Sequence, residues 1–164
     1  MASPFKKTLL QHAAAAMVIP ATLSLAACAP QAGADDATKE FLALRGTLVS
    51  ISGVEDAQVG GGFDGSPDRR KLNVTLYVND MSAEGVTPIV EEALAEAWAF
   101  EAFVAVSYSI QVWPAPIPTP PRDATTMFDI KTIKDTLGIE GGYVQNRQLF
   151  LDPTDLEAKF GSKG

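Results

Sequence analysis

The stretch Leu72-Asn73-Val74-Thr75-Leu76-Tyr77-Val78 alternates apolar residues with Asn, Thr and Tyr at every position. A period of two is the signature of a strand with one face on a core. The period then changes: Ile89, Val90, Ala93, Leu94, Ala97 and Trp98 recur at helical spacing. Thr87 is a candidate N-cap, Pro88 fits the first helical position, and Glu91 and Glu92 lie near the positive end of the helix dipole. Val104, Val106, Tyr108, Ile110 and Val112 return to alternation. Strand, helix and strand in succession decide the fold class as mixed α and β.

Before this stretch, Phe41, Leu44, Leu48 and Ile51 mark one face of a helix that opens near Ala37. Gly53 stands where a helix needs a left-handed stop. Val54 to Val59 then reads as a short strand, and Gly60 to Arg70 as a turn-rich loop. Residues 37–113 thus order as α-β-β-α-β.

After it, Trp113-Pro114-Ala115-Pro116-Ile117-Pro118-Thr119-Pro120-Pro121 favours extended polyproline II, and residues 114–124 read as a stiff linker. Met127, Ile130, Ile133 and Leu137 form another helical stripe. Gly138-Ile139-Glu140 then echoes Gly53-Val54-Glu55 at an offset of 85 residues. A tight turn at Gln145-Asn146-Arg147, a strand around Leu149–Leu151, and a last helix with Asp152 as cap, Pro153 first and Gly161 as stop complete the chain. Residues 125–164 therefore predict a second, shortened α-β-β-α unit. In both units the strands are expected antiparallel, with helices on one face. The helix-Gly-Val-strand-strand-helix order resembles ferredoxin-like small domains, which implies an α+β fold. The heavy-metal members carry a Cys-x-x-Cys that this chain lacks, so metal transfer is not implied.

Residues 1–27 read differently. Lys6 and Lys7 precede an apolar run from Ala13 to Ala27, interrupted by Pro20. A spanning helix needs about 20 apolar residues, so this shorter run has the layout of a secretory signal. It ends in Leu25-Ala26-Ala27-Cys28, which resembles the lipobox of bacterial lipoproteins. The resemblance implies diacylglycerol on the Cys28 thiol, cleavage between Ala27 and Cys28, and an acyl chain such as palmitate on the new amino terminus. Pro30 argues against ordinary cleavage after Ala29. An uncleaved anchor is the other reading of the run. Residues 28–36 become a lipidated tether, and the domain faces outward from the cell membrane or the outer membrane.

The chain has 164 residues, with thirteen Lys+Arg and twenty Asp+Glu, one histidine and one cysteine. Without residues 1–27, eleven cations face all twenty acids, a net charge of −9, and His12 is gone. Nucleic acid is a poor partner for such a charge. General-base and nucleophile roles fall to carboxylates, lysines, hydroxyls or a metal.

The chemical candidates are few. Asp64-x-Ser66-x-Asp68 has the alternate oxygen spacing that opens many Ca²⁺ loops, but lacks the later glycine and closing glutamate; a solvated turn competes. Gly60-Gly61-Gly62-Phe63-Asp64-Gly65 matches a dinucleotide fingerprint in form only, because no helix follows it. Glu91/Glu92 and Glu96/Glu101 are the paired carboxylates a histidine-free hydrolase of cell-wall polymers would need. No Ser-x-x-Lys opens a helix; Ser162-Lys163 lies at the chain end. Trp113, with Pro114 and Pro116, either packs locally or forms an exposed contact for a partner. Two function classes follow: a non-catalytic envelope lipoprotein binding a protein or a cationic or neutral ligand, with no cofactor beyond the Cys28 lipid, or a small carboxylate-dependent hydrolase.

Overall fold

In a computed structural model that describes residues 34–120 and 122–163, five strands form one sheet in the order β1-β2-β3-β5-β4. The signal segment, Cys28 and the tether as far as residue 33 lie outside the described residues. Helix α1 (Ala34–Ser50) leads into β1 (Val54–Phe63) and β2 (Arg70–Val78); α2 (Ala83–Ala99) leads into β3 (Ala105–Pro114). Two short 3-10 turns, Ala124–Thr126 and Ile130–Thr132, precede the hairpin β4 (Tyr143–Gln145) and β5 (Gln148–Leu151), and α3 (Pro153–Phe160) ends the fold. The architecture is α+β, as expected.

The alternation in β2 puts Leu72, Val74, Leu76 and Val78 on one face, fully buried against α1 and α2. Each such side chain contributes roughly 1.5–3 kcal/mol by leaving water. Leu44, Leu48 and Ile51 supply the α1 side, and Val86, Ile89, Val90, Ala93, Leu94 and Ala97 supply the α2 side. Leu156 of α3 closes the same core over Leu149 and Leu151.

Strands β1 and β2 are antiparallel, but β2 and β3 are parallel and adjacent. This departs from the antiparallel expectation for a simple reason: α2 carries the chain back to the end where β2 began. A ferredoxin-like split β-α-β leaves another strand between the two that a helix joins. The likeness therefore reaches the element order and not the strand order.

The second half is not a separate unit. Strand β5 pairs antiparallel with β3 through Tyr108–Leu151, Ser109–Phe150 and Ile110–Leu149, extending the first sheet. The stripe of Met127, Ile130, Ile133 and Leu137 is buried as the sequence suggests, without an α-helix. Asp123 and Asp129 accept bonds from the Thr125 and Lys131 amides, while Thr126 and Thr132 hydroxyls donate back to the carbonyls of Asp123 and Asp129. These local bonds compete with helical ones. The echo extends to the positive φ of Gly53 (95°) and Gly138 (65°) and to buried Val54 and Ile139. It stops there, because β1 starts at Val54 whereas β4 starts only at Tyr143.

Two boundaries move. Helix α2 starts at Ala83, not at Pro88, because the Ser82 hydroxyl accepts from the Gly85 amide (3.1 Å), while the Thr87 hydroxyl bonds back to the Ala83 carbonyl. Strand β1 runs on through Gly60, Gly61 and Gly62 to Phe63 instead of opening into a loop. At Gly61 the Phe41 ring of α1 crosses so closely that a Cβ would stand 2.9 Å from its tip.

Candidate functional site

On the face of the sheet away from the helices, the out-facing phase of β2 and β3 meets rung by rung. Ser109 Oγ donates to Asn73 Oδ1 (2.7 Å), and Gln111 Nε2 donates to Thr75 Oγ1 (2.8 Å). The next rung pairs Tyr77 with Trp113. Both rings are buried with Met127 in a small second core, against which Ala115 packs.

The proline segment is what covers them. The Ala115 amide still bonds to the Val78 carbonyl (2.9 Å), the chain passes a cis bond at Ala115–Pro116, and it returns where the Phe128 amide meets the Val112 carbonyl (3.0 Å). Arg147 Nη1 fixes that return by donating to the Met127 carbonyl (2.7 Å). The Arg122 guanidinium carbon lies 5.9 Å from the Trp113 ring. Residues 114–120 and 122–127 thus form a strap over one end of the sheet, not a linker between units. Trp113 is only 5% exposed, so its expected role as an exposed partner contact does not hold. The strap it packs under leaves Pro116 and Ile117 at the surface, and Pro114 half-buried.

Beside the strap lies a groove of about 480 Å³, lined by Glu55, Asp56, Tyr77, Asn79, Ala115, Pro116 and Ile117. Asn79 donates from its amide to Glu55, and Arg45 holds Asp56 (2.5 Å). At its base, Tyr77 Oη is buried with no hydrogen-bond partner among the described residues, as is Trp113 Nε1 on the neighbouring strand. A buried donor left unmet costs about 1–3 kcal/mol. Burial raises the Tyr77 pKa above its ordinary value, with the nearby Arg122 charge opposing the shift. The phenol therefore stays protonated, a donor for any acceptor that reaches it. Sequence reading placed Tyr77 on the solvent phase of its strand. The available signal was that two aromatics, Tyr77 and Trp113, both fall on the polar phase of neighbouring strands.

The other candidates resolve individually. Asp64 is held by Arg69 (3.0 Å) and Lys71 (2.9 Å), whose hydrogen bonds pull its carboxyl below the usual range. Ser66 donates to Asp68 (2.6 Å), which lowers that carboxyl as well. The loop thus satisfies its own oxygens, and among the described residues no cluster of three or more acids, histidines or cysteines is placed to hold a metal. Glu91 pairs with Lys159 (2.5 Å), while Glu96 and Glu101 line a shallow groove between α1 and α2 with Glu40. Lys163 does not meet a serine nucleophile; its Nζ donates to the Phe100 carbonyl (2.9 Å) and lies 4.6 Å from the Trp98 ring centre. No protein family, curated protein or solved structure matches the chain.

Proposed function

We propose that the protein is a bacterial envelope lipoprotein, anchored through lipid on Cys28, whose domain is a non-catalytic binding module. The carrying observation is the position of Leu25-Ala26-Ala27-Cys28, six residues before α1 begins at Ala34. A signal that ends where a fold starts is the economy expected of a lipid-anchored domain. Two acyl chains or more hold a protein stably at a bilayer, where one holds it only marginally. No helix among the described residues is long and apolar enough to cross a membrane. The binding part of the reading is supported by the groove beside the strap, where the Tyr77 hydroxyl, with no hydrogen-bond partner among the described residues, lies near the carboxylates of Glu55 and Asp56. That chemistry suits a neutral or cationic group with a hydrogen-bond acceptor, on a ligand or on an envelope protein.

Cys28→Ser is expected to leave an unprocessed or released protein, read by fractionation and by the mass of the amino-terminal peptide. Normal cleavage after Ala27 with retained membrane binding overturns the anchor. A photo-reactive residue at Ile117, exposed at the groove rim, is expected to capture a discrete set of adducts in the native envelope. The same set from a photo-reactive residue at exposed Glu157 of α3 overturns the groove as the contact.

A further inference from the structure

One end of the sheet carries the two most exposed of the large apolar side chains among the described residues. Phe63 is 65% exposed at the last rung of β1, and Val104 is 86% exposed immediately before β3. They share that end because Phe63 pairs with Arg70, and Arg70 with Ala105. The alternation of β3 predicts Val104 inside. A register shift between Arg70 and Lys71 inserts one extra residue at Val106, so Ala105 turns inward and Val104 outward. Tyr143, 59% exposed, lines a groove with Asp64, Arg69 and Lys71 towards the same end.

Helix α1 begins at this end too. It runs antiparallel to β1: Arg45 bonds the Ala57 carbonyl, and Phe41, one turn earlier, lies over Gly61. Seven more residues at about 1.5 Å each carry the helix roughly 10 Å further, past Phe63, to Ala34. From Ala34 to Cys28 is six residue steps, a reach of at most about 20 Å. The sheet from Val54 to Phe63 is about 30 Å long at 3.3 Å per step. The far end, with Ile117, therefore lies beyond the tether's reach while this end is within it.

We propose that the Phe63–Val104 end of the domain rests on the bilayer that holds the Cys28 lipid, its apolar side chains entering the headgroup region. The inference rests on the lipid-anchor reading. Charge permits it: Arg69, Arg70 and Lys71 are three of the eleven cations of a domain with net −9; Arg69 and Lys71 neutralise Asp64, and Arg70 lies 4.0 Å from the Phe103 ring centre. The net charge of −9 opposes anionic lipid, so the contact is chiefly apolar and a zwitterionic surface suffices for it.

Cys28 is the chain's one cysteine; once lipidated, it leaves any added cysteine as a unique labelling site. Phe63→Cys, Val104→Cys and Ile117→Cys, each exposed, are labelled with an environment-sensitive fluorophore in the lipidated full protein. Vesicles of phosphatidylcholine carry a headgroup-attached quencher. Quenching at 63 and 104 is expected at least threefold stronger than at 117, and Val104→Asp is expected to halve it at 63. Equal quenching at the three positions in vesicle-bound protein overturns the proposal. Shielding at 104 without quenching, growing with the protein-to-lipid ratio, identifies a second copy as the occupant and also overturns it. Mass spectrometry separates the two readings: absence of lipid on Cys28 overturns both, whereas lipid on Cys28 with equal quenching overturns this one alone.

Discussion

Helix α1 and the segment from Asp123 to Gly138 bear the same kind of apolar stripe, yet only one is a helix. In α1, Phe41, Leu44 and Leu48 face the core from a regular backbone, and Ile51 follows directly after its end. In the later segment, Phe128, Ile130, Ile133 and Leu137 reach the same core from a succession of short 3-10 and single α-type turns that never join into a helix. What differs is the residues between the apolar ones. The polar positions in the middle of α1 include Lys39, Glu40 and Arg45, straight-chain residues with little to offer the backbone locally; Thr47 and Ser50, which bond back to the Ala43 and Thr47 carbonyls, stand only in its last turn. The later segment has Asp123, Thr125, Thr126, Asp129 and Thr132, each of which bonds a nearby backbone group or another side chain of the segment. Apolar spacing decides what is buried; the short polar side chains decide how the backbone arrives there.

The sharpest way to break the comparison is to ask whether the two regions stabilise one core or two. Leu48 and Leu137 are both fully buried in the same cluster. Leu48→Ala and Leu137→Ala are each expected to cost about 2–5 kcal/mol. Both losses should appear in a single cooperative urea transition with an unchanged m-value, because β5 joins the halves along β3. A Leu137→Ala protein that unfolds in two steps, with residues 34–114 melting as in the unaltered chain, would restore two independent units.

Most of the fold was legible where pattern and local chemistry agreed. The α2 stripe, the phase of β2, the Asn146-Arg147 turn with φ of 49° and 64°, and the capping of α3 by Asp152 ahead of Pro153 all follow from their residues. The departures have tertiary causes. Glycines 60–62 read as a loop because nothing local says that a Phe41 ring crosses above Gly61. Val104 read as core because a one-residue register shift leaves no mark in a sequence. Of the site, the loop at Asp64 was visible by spacing, but its neutralisation by Arg69 and Lys71 needed only the next few residues to be weighed as partners. Tyr77 was hidden by phase: a strand's outer face is polar only until another segment covers it.

A smaller effect sharpens the comparison at the turns themselves. Ser82 caps α2 through the Gly85 amide, and Asp129 closes its 3-10 turn through the Lys131 amide (3.2 Å). Replacing either by Ala removes an acceptor from a helical or turn amide, at about 0.5–2 kcal/mol. The two losses are expected to be similar, since each removes one acceptor from an amide in the first turn it caps. Thermal melts of Ser82→Ala and Asp129→Ala check this. A neutral Asp129→Ala would mean that burial of Ile130 and Ile133 alone sets that backbone, and that the Asp and Thr bonds follow from it.

The smallest expected effect concerns acid, at the loop between β1 and β2. Asp64 has its pKa lowered by hydrogen bonds from Lys71 and Arg69, and all three side chains are substantially exposed. A carboxyl whose folded pKa lies below its unfolded value adds stability above the unfolded pKa, near 3.8, and loses it as pH falls through the folded pKa. Solvent screens exposed pairs, so the contribution is slight and shrinks further with salt. Asp64→Asn is therefore expected to lower the melting temperature by a small amount at neutral pH and low salt. The difference should vanish once the pH is well below 3.8. The second half offers the control. Asp123 is also lowered, but by bonds from Thr125, with the Arg147 charge only a minor cause. Asp123→Asn keeps the side-chain oxygen that accepts those bonds, so its effect should depend on salt less than that of Asp64→Asn. Equal salt dependence in the two variants would mean that charge, not the local hydrogen bond, holds the second-half turn, and the contrast drawn between the two regions would fail at that residue.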